Sequence, residues 1–92
     1  MDFFKLAKDN APLPRKAQTE LAAQAQAGDA DARTALVLCN IRLAINVANS
    51  HKRNGIELED LIATAAGATL DAIRVFDRSS GANFPTVARQ WM

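Results

Sequence analysis

The stretch ADARTALVLCNIRLAINVANSHKR, residues 30–53, decides the fold. Leu36, Val37, Ile41, Leu43, Ala44, Val47 and Ala48 recur in it at three- and four-residue spacing, the signature of one broad apolar helix face. Asp29 stands in front as an N-cap, and Asp31 falls in the first turn, where the helix dipole favours negative charge. His51, Lys52 and Arg53 close the stretch at the negative helix end, and Gly55 follows. The pattern predicts one long helix over 30–53 whose stripe other helices must cover.

Before it, Gly28 ends a helix predicted over 14–27, and the two prolines of APLP (residues 11–14) block propagation further back. Residues 1–13 are then an N-terminal arm, with a short helical turn around Phe3–Lys8, and residues 14–92 the helical domain. Phe3, Phe4 and Leu6 dock on the domain or anchor a partner, docking being the simpler reading. After it, IELED (56–60) is a short link to a third helix over 59–76, with Ile62, Ala66, Thr69, Ile73 and Phe76 on one face. DRSSGAN (77–83) is a turn. A fourth helix starts near Pro85, a good first helical residue, with Val87, Ala88 and Trp91 sharing a face. The predicted fold is all-α: a compact bundle of three main helices plus a short C-terminal helix.

Composition bounds the function. A chain of 92 residues buries about 60–65% of its unfolded surface and forms one small domain with little margin. A net charge of +1 argues against nonspecific coating of nucleic acid or membrane. The N-terminus is mixed in charge and unlike a signal peptide, and no apolar run approaches the ~18 residues of a membrane span. Cys39 is the single cysteine and has no internal disulfide partner. A cytoplasmic chain is expected.

Catalytic constellations are weak. His51 is the one histidine and suits a solvated dipole partner at a helix end; Cys39 suits a small, semi-buried hydrophobe. Neither has ligand-spaced companions, so neither metal nor cofactor is expected. Glu57, Glu59 and Asp60 sit beside a helix start, where capping and dipole compensation explain them. The glycine-containing turns lack phosphate-loop spacing. An enzyme is not expected. The alanine-rich ATAAGAT (63–69) allows a close approach of another helix, from a partner or from within the domain.

The order of the residues carries more. AGDADAR (27–33) followed by LV, NIRLA (40–44), GIELEDLI (55–62), FDRSSG (76–81) and NFPTVARQW (83–91) stand in a sequence and spacing that resembles the second conserved domain of the sigma-70 family of bacterial transcription initiation factors. The likeness runs from about Leu21 to Met92. It implies that the helices over 40–53 and 60–76 dock on the clamp-helix coiled coil of the β′ subunit of core RNA polymerase, with Ile41, Ala44, Glu59, Asp60, Ala63, Thr64, Ala66 and Leu70 at the matching positions. It also implies that residues 78–92 face promoter DNA, where aromatics hold flipped bases by stacking worth about 1–3 kcal/mol each. Arg78, Phe84, Arg89, Gln90 and Trp91 are the candidates there, with Phe84 equally suited to the core.

The departures from the family pattern fall on both surfaces. Where the family reads DLIQEG this chain reads DLIATA (60–65), so Ala63 and Thr64 replace a Gln and a Glu, at an implied cost of about 1–3 kcal/mol in docking. Where the family reads GYKFSTYAxWW, this chain reads GANFPTVARQW (81–91): Ala82 and Val87 replace tyrosines and Gln90 a tryptophan. Most of the promoter-opening apparatus is missing, and the promoter-reading segment that follows it in the family lies beyond Met92. The resemblance therefore implies a truncated or split sigma-like protein, or a competitor of the host factor. Its partner would be a bacterial or phage-encoded polymerase, with weak promoter contact and a second protein supplying recognition; a phage or mobile element would suit so compact a copy. Two other readings stay open. One is a DNA-binding module in which Arg74, Arg78 and Arg89 meet phosphates and Trp91 stacks. The other is a structural subunit that kept the fold and lost the activity.

Overall fold

In the computed structural model, which describes residues 2–52 and 55–92, every regular element is helical. The order is α1 (Phe3–Asp9), α2 (Arg15–Gln26), α3 (Ala30–Cys39), α4 (Ile41–Ser50), α5 (Leu58–Val75), a 3₁₀ turn (Arg78–Ser80) and α6 (Phe84–Trp91). Each stops and starts for a local reason. Asp2, Asp29, Asp77 and Asn83 accept hydrogen bonds from amides of the first turns of α1, α3, the 3₁₀ turn and α6. Gly28 takes φ +105° between α2 and α3, a left-handed conformation that an L side chain disfavours. Among the described residues no helix is long and apolar enough to cross a membrane.

The predicted long helix is two helices. It breaks at Asn40, whose backbone leaves the helical range at φ −107°, ψ 10°. The Asn40 amide donates to Val37 O (3.2 Å), and the carbonyl of Leu36 is satisfied instead by Asn40 Nδ2 at 2.8 Å. The same side-chain nitrogen donates to Gln18 Oε1 at 3.0 Å, while Gln18 Nε2 donates to Leu13 O at 2.8 Å. Both side chains are buried, so a polar link between α2 and the α3–α4 corner replaces the continuous ladder. The helix ends at Ser50, and the expected closing cation Arg53 lies outside the described residues.

The other boundaries sit within a residue or two of expectation, with Pro14 as N-cap of α2 and Leu58 as the first residue of α5. The arm is α1. Its Ala7 is buried, and Arg42 Nε of α4 donates to Ala7 O at 3.1 Å; Phe3 and Leu6 are half-buried against the same cluster, whereas Phe4 stays exposed.

Two apolar clusters divide the interior along α5. Ile62, Ala65 and Ala66 of its first half pack with Ile41, Ala44, Ile45 and Ala48 of α4 and Ala7 of α1. Ala72 and Ile73 of its second half pack with Ala22, Leu36, Cys39, Phe76, Phe84 and Ala88 from α2, α3 and the C-terminal segment. Phe76 and Phe84 meet edge to face, ring centres 5.5 Å apart at 76°. Gln26 Nε2 donates to the carbonyls of Ile73 and Phe76, capping the C-terminal end of α5 from α2.

Candidate partner-docking face

With its inner side committed to both clusters, α5 turns a continuous outer face to solvent. Asp60, Ala63, Thr64, Gly67, Leu70, Asp71 and Arg74 all lie on it, at three- and four-residue spacing. Glu59 and Asp60 occupy the first turn and Arg74 the last, each complementing the helix dipole. Glu57, the N-cap, makes no side-chain capping bond, so the capping role expected of it is absent. Thr64 Oγ1 donates back to Asp60 O at 2.9 Å.

Beside the middle of this face runs an apolar groove of about 390 Å³. Its walls are Phe3 and Leu6 of α1, Val37 and Leu38 of α3, and Ala63, Gly67 and Leu70 of α5; Ile41 and Ala66 form the floor. Leu70 is 47% exposed at its rim. A second, wider groove begins at the same leucine and is lined by Ala25, Gln26, Arg33, Ile73 and Arg74. The combined surface therefore runs from acidic (Glu57, Glu59, Asp60) through apolar to basic (Arg33, Arg74).

The sequence-derived docking residues separate into two groups. Glu59, Asp60, Ala63, Thr64 and Leu70 are exposed and share the outer side of α5. Ile41 and Ala66 are buried and reach only the groove floor, and Ala44 has no exposed surface at all. Ala44 is thus a core position that supports the face without presenting an atom to a partner. Of the groove walls, Phe3 and Leu6 belong to the arm weighed as a partner anchor and Gly67 lies in the ATAAGAT stretch read as open to close approach, whereas Val37 and Leu38 are not among the candidates. At Gly67 a Cβ would meet nothing within 4 Å among the described residues.

The candidate DNA side is also divided. Phe84 is fully buried against Phe76, so its ring belongs to the core and offers no stacking face. Arg78 is bridged to Glu20 of α2 at 3.1 Å, with both side chains more than half exposed. Arg89, Gln90 and Trp91 are exposed on α6, and Trp91 is 46% accessible. Trp91 stands one turn beyond Ala88 on α6; Ala88 is fully buried, whereas Trp91 is nearly half exposed.

The groups weighed for catalysis are engaged structurally. His51 is exposed at the end of α4, with Nδ1 2.9 Å from Val47 O and 3.1 Å from Ser50 Oγ. Cys39 is buried, and desolvation pushes its thiol pKa up, away from a reactive thiolate. Among the described residues no three His, Cys, Asp or Glu side chains gather as a metal site requires.

Comparison with known proteins gives this arrangement its context. No family model matches the sequence. Curated relatives do. The chain is 30% identical over 80 residues to the RNA polymerase sigma factor RpoS of Coxiella burnetii, covering 87% of this chain and 23% of that protein. It is 34% identical over 77 residues to the sigma factor SigA4 of Synechococcus elongatus, covering 84% and 24%. It is 32% identical over 82 residues to the principal sigma factor HrdC of Streptomyces coelicolor, covering 89% and 24%. The chain spans about a quarter of the length of these relatives.

Proposed function

We propose that this chain, a partial domain of the sigma-70 family of transcription initiation factors, docks on bacterial RNA polymerase core through the outer face of α5 and modulates transcription initiation. The observation that carries the reading is the alignment of Asp60, Ala63, Thr64 and Leu70 on one exposed helix face beside an apolar groove. Those are the positions that the family resemblance assigns to the β′ clamp helices. Asp60 supplies the retained charge, while Leu70 and the groove supply apolar area where the family's polar pair is replaced by Ala63 and Thr64. Within residues 78–92 the exposed groups on α6 are Arg89, Gln90 and Trp91, and Trp91 suits the stacking of a single base. Modulation then takes the form of competition with the host sigma factor.

The test is a competition titration. Fluorescently labelled protein is bound to purified core polymerase, and housekeeping sigma factor is added. Displacement is the expected result, and a Leu70→Asp variant should bind more weakly while keeping its helical circular dichroism. Micromolar core polymerase that leaves the label unbound would remove the reading for that enzyme.

A further inference from the structure

We infer that the outer face of α5 is self-complementary and that a second copy of this chain covers it about a two-fold axis passing near Gly67. Three observations on different groups converge. Gly67 sits in the interior of an 18-residue helix, where glycine is a poor helix former. Among the described residues nothing requires it there, because a Cβ at this position would meet no atom within 4 Å. With Ala63 one turn earlier it lowers the helix surface and lets another backbone approach.

The second observation is the charge order. Asp60 and Arg74 lie fourteen residues apart on this face, about 21 Å along the axis, with Gly67 midway. Two copies packed antiparallel across Gly67 set Asp60 of each opposite Arg74 of the other, the isologous pairing that a two-fold axis demands. Glu57 and Glu59 flank the acidic end and Arg33 flanks the basic end across the second groove. Asp71 also lies at the basic end, 3.5 Å from Arg74 in an exposed contact that a partner carboxylate can share.

The third is shape. The same pairing sets Leu70, nearly half exposed, opposite Thr64 and beside Ala63, at the wall of the apolar groove. A large side chain thus enters a depression walled by small ones, once on each side of the axis. A polar-free groove next to an exposed leucine is an unfavourable surface for a monomer and a favourable one for this pair. The dimer covers Asp60, Ala63 and Leu70, so self-association and polymerase docking exclude one another. That masking rests on the function proposed above; the dimer does not.

Sedimentation equilibrium of the purified full chain, without polymerase, tests the dimer. Wild type should show a monomer–dimer equilibrium at sub-millimolar concentration. Asp60→Lys and Arg74→Glu each place like charges at both symmetric contacts and should weaken the dimer by about tenfold or more. Mixed in equal amounts, the two variants regain opposite charges at both contacts, and the heterodimer should return toward wild-type affinity. Gly67→Gln, exposed and a better helix former, should keep the fold and lose the dimer. A wild type that stays monomeric overturns the inference, as do variants that dimerise like wild type or a mixture that fails to recover. Since polymerase is absent from these experiments, either outcome leaves the competition titration to stand or fall separately.

Discussion

Asn40→Leu should destabilise the protein even though it replaces a poor helix former by a good one of similar size. If the break between α3 and α4 were only a matter of propensity, leucine would mend it and raise stability by a few tenths of a kcal/mol. The structure predicts the opposite sign. Asn40 Nδ2 makes hydrogen bonds of 2.8 Å to Leu36 O and 3.0 Å to Gln18 Oε1, and both Asn40 and Gln18 are at most 3% exposed. Losing two buried bonds costs about 1 kcal/mol each, and stranding Gln18 Oε1 adds about 1 kcal/mol or more, for a total of about 2–4 kcal/mol. That is a large share of the ~5–14 kcal/mol expected for a chain of this length. Urea unfolding followed by circular dichroism reads it directly. Adding Gln18→Met removes the stranded acceptor, so the double variant should cost less than the two singles together, by about 1 kcal/mol or more. Strict additivity within about 0.5 kcal/mol, or a stabilised Asn40→Leu, would refute the polar-link account of the corner.

Other residues give shorter tests. Ala63→Gln with Thr64→Glu restores the family's polar pair at exposed positions and should tighten core-polymerase binding by about tenfold or more, read in the competition titration; unchanged affinity would mean the face docks differently. Thr69 Oγ1 is buried with no hydrogen-bond partner among the described residues, so Thr69→Val should stabilise by about 1 kcal/mol and raise the melting temperature by about 4–8 °C; a lower melting temperature would show that the hydroxyl is satisfied in solution. Hydrogen bonds from Ser79 to Asp77 hold that exposed carboxylate below its ordinary pKa of 3.8. Its contribution to the turn is therefore present above that value and lost as pH falls through the depressed one, and carboxyl NMR should show Ser79→Ala moving the titration upward. Trp91, the sole tryptophan, is 46% exposed, so single-stranded promoter DNA that stacks on it should quench its emission, while Trp91→Ala leaves the melting temperature nearly unchanged.

How much of this was legible in the sequence depended on whether the controlling contact was local. The N-cap Asp29, the glycine turn at Gly28, and the inner face of α5 through Ile62, Ala66, Thr69, Ile73 and Phe76 follow from spacing and from nearest neighbours. The break at Asn40 does not. One asparagine in an apolar stripe costs a helix too little to stop it, and its partner Gln18 lies 22 residues away. The docking of α1 was open for a related reason: seven residues form no stable helix alone, and only packing on α4 decides. The groove was least legible, because its walls come from residues 3–6, 37–38 and 63–70, which no periodicity links. Phe84 is open between core and contact in the sequence, and its packing against Phe76 decides for the core.

α5 carries two kinds of constraint on opposite sides, and they speak to different questions. On the inner side, any change of volume at Ile62, Ala65, Ala72 or Ile73 is felt by the packed clusters, so these residues record the fold and say little about a partner. On the outer side, the molecule itself is indifferent to what stands at residues 63, 64, 67 and 70. Indifference alone would let these positions fill with good helix formers and charge. Instead they hold a glycine that weakens the helix and a leucine that exposes apolar area, both unfavourable for an isolated chain. Such choices gain a physical reason only when another surface covers them. On the promoter side Arg89 and Gln90 are solvated residues, and Trp91, as exposed as Leu70, is the one large apolar group exposed on α6. The helix-weakening glycine beside an exposed leucine is the support for the contact proposed on α5.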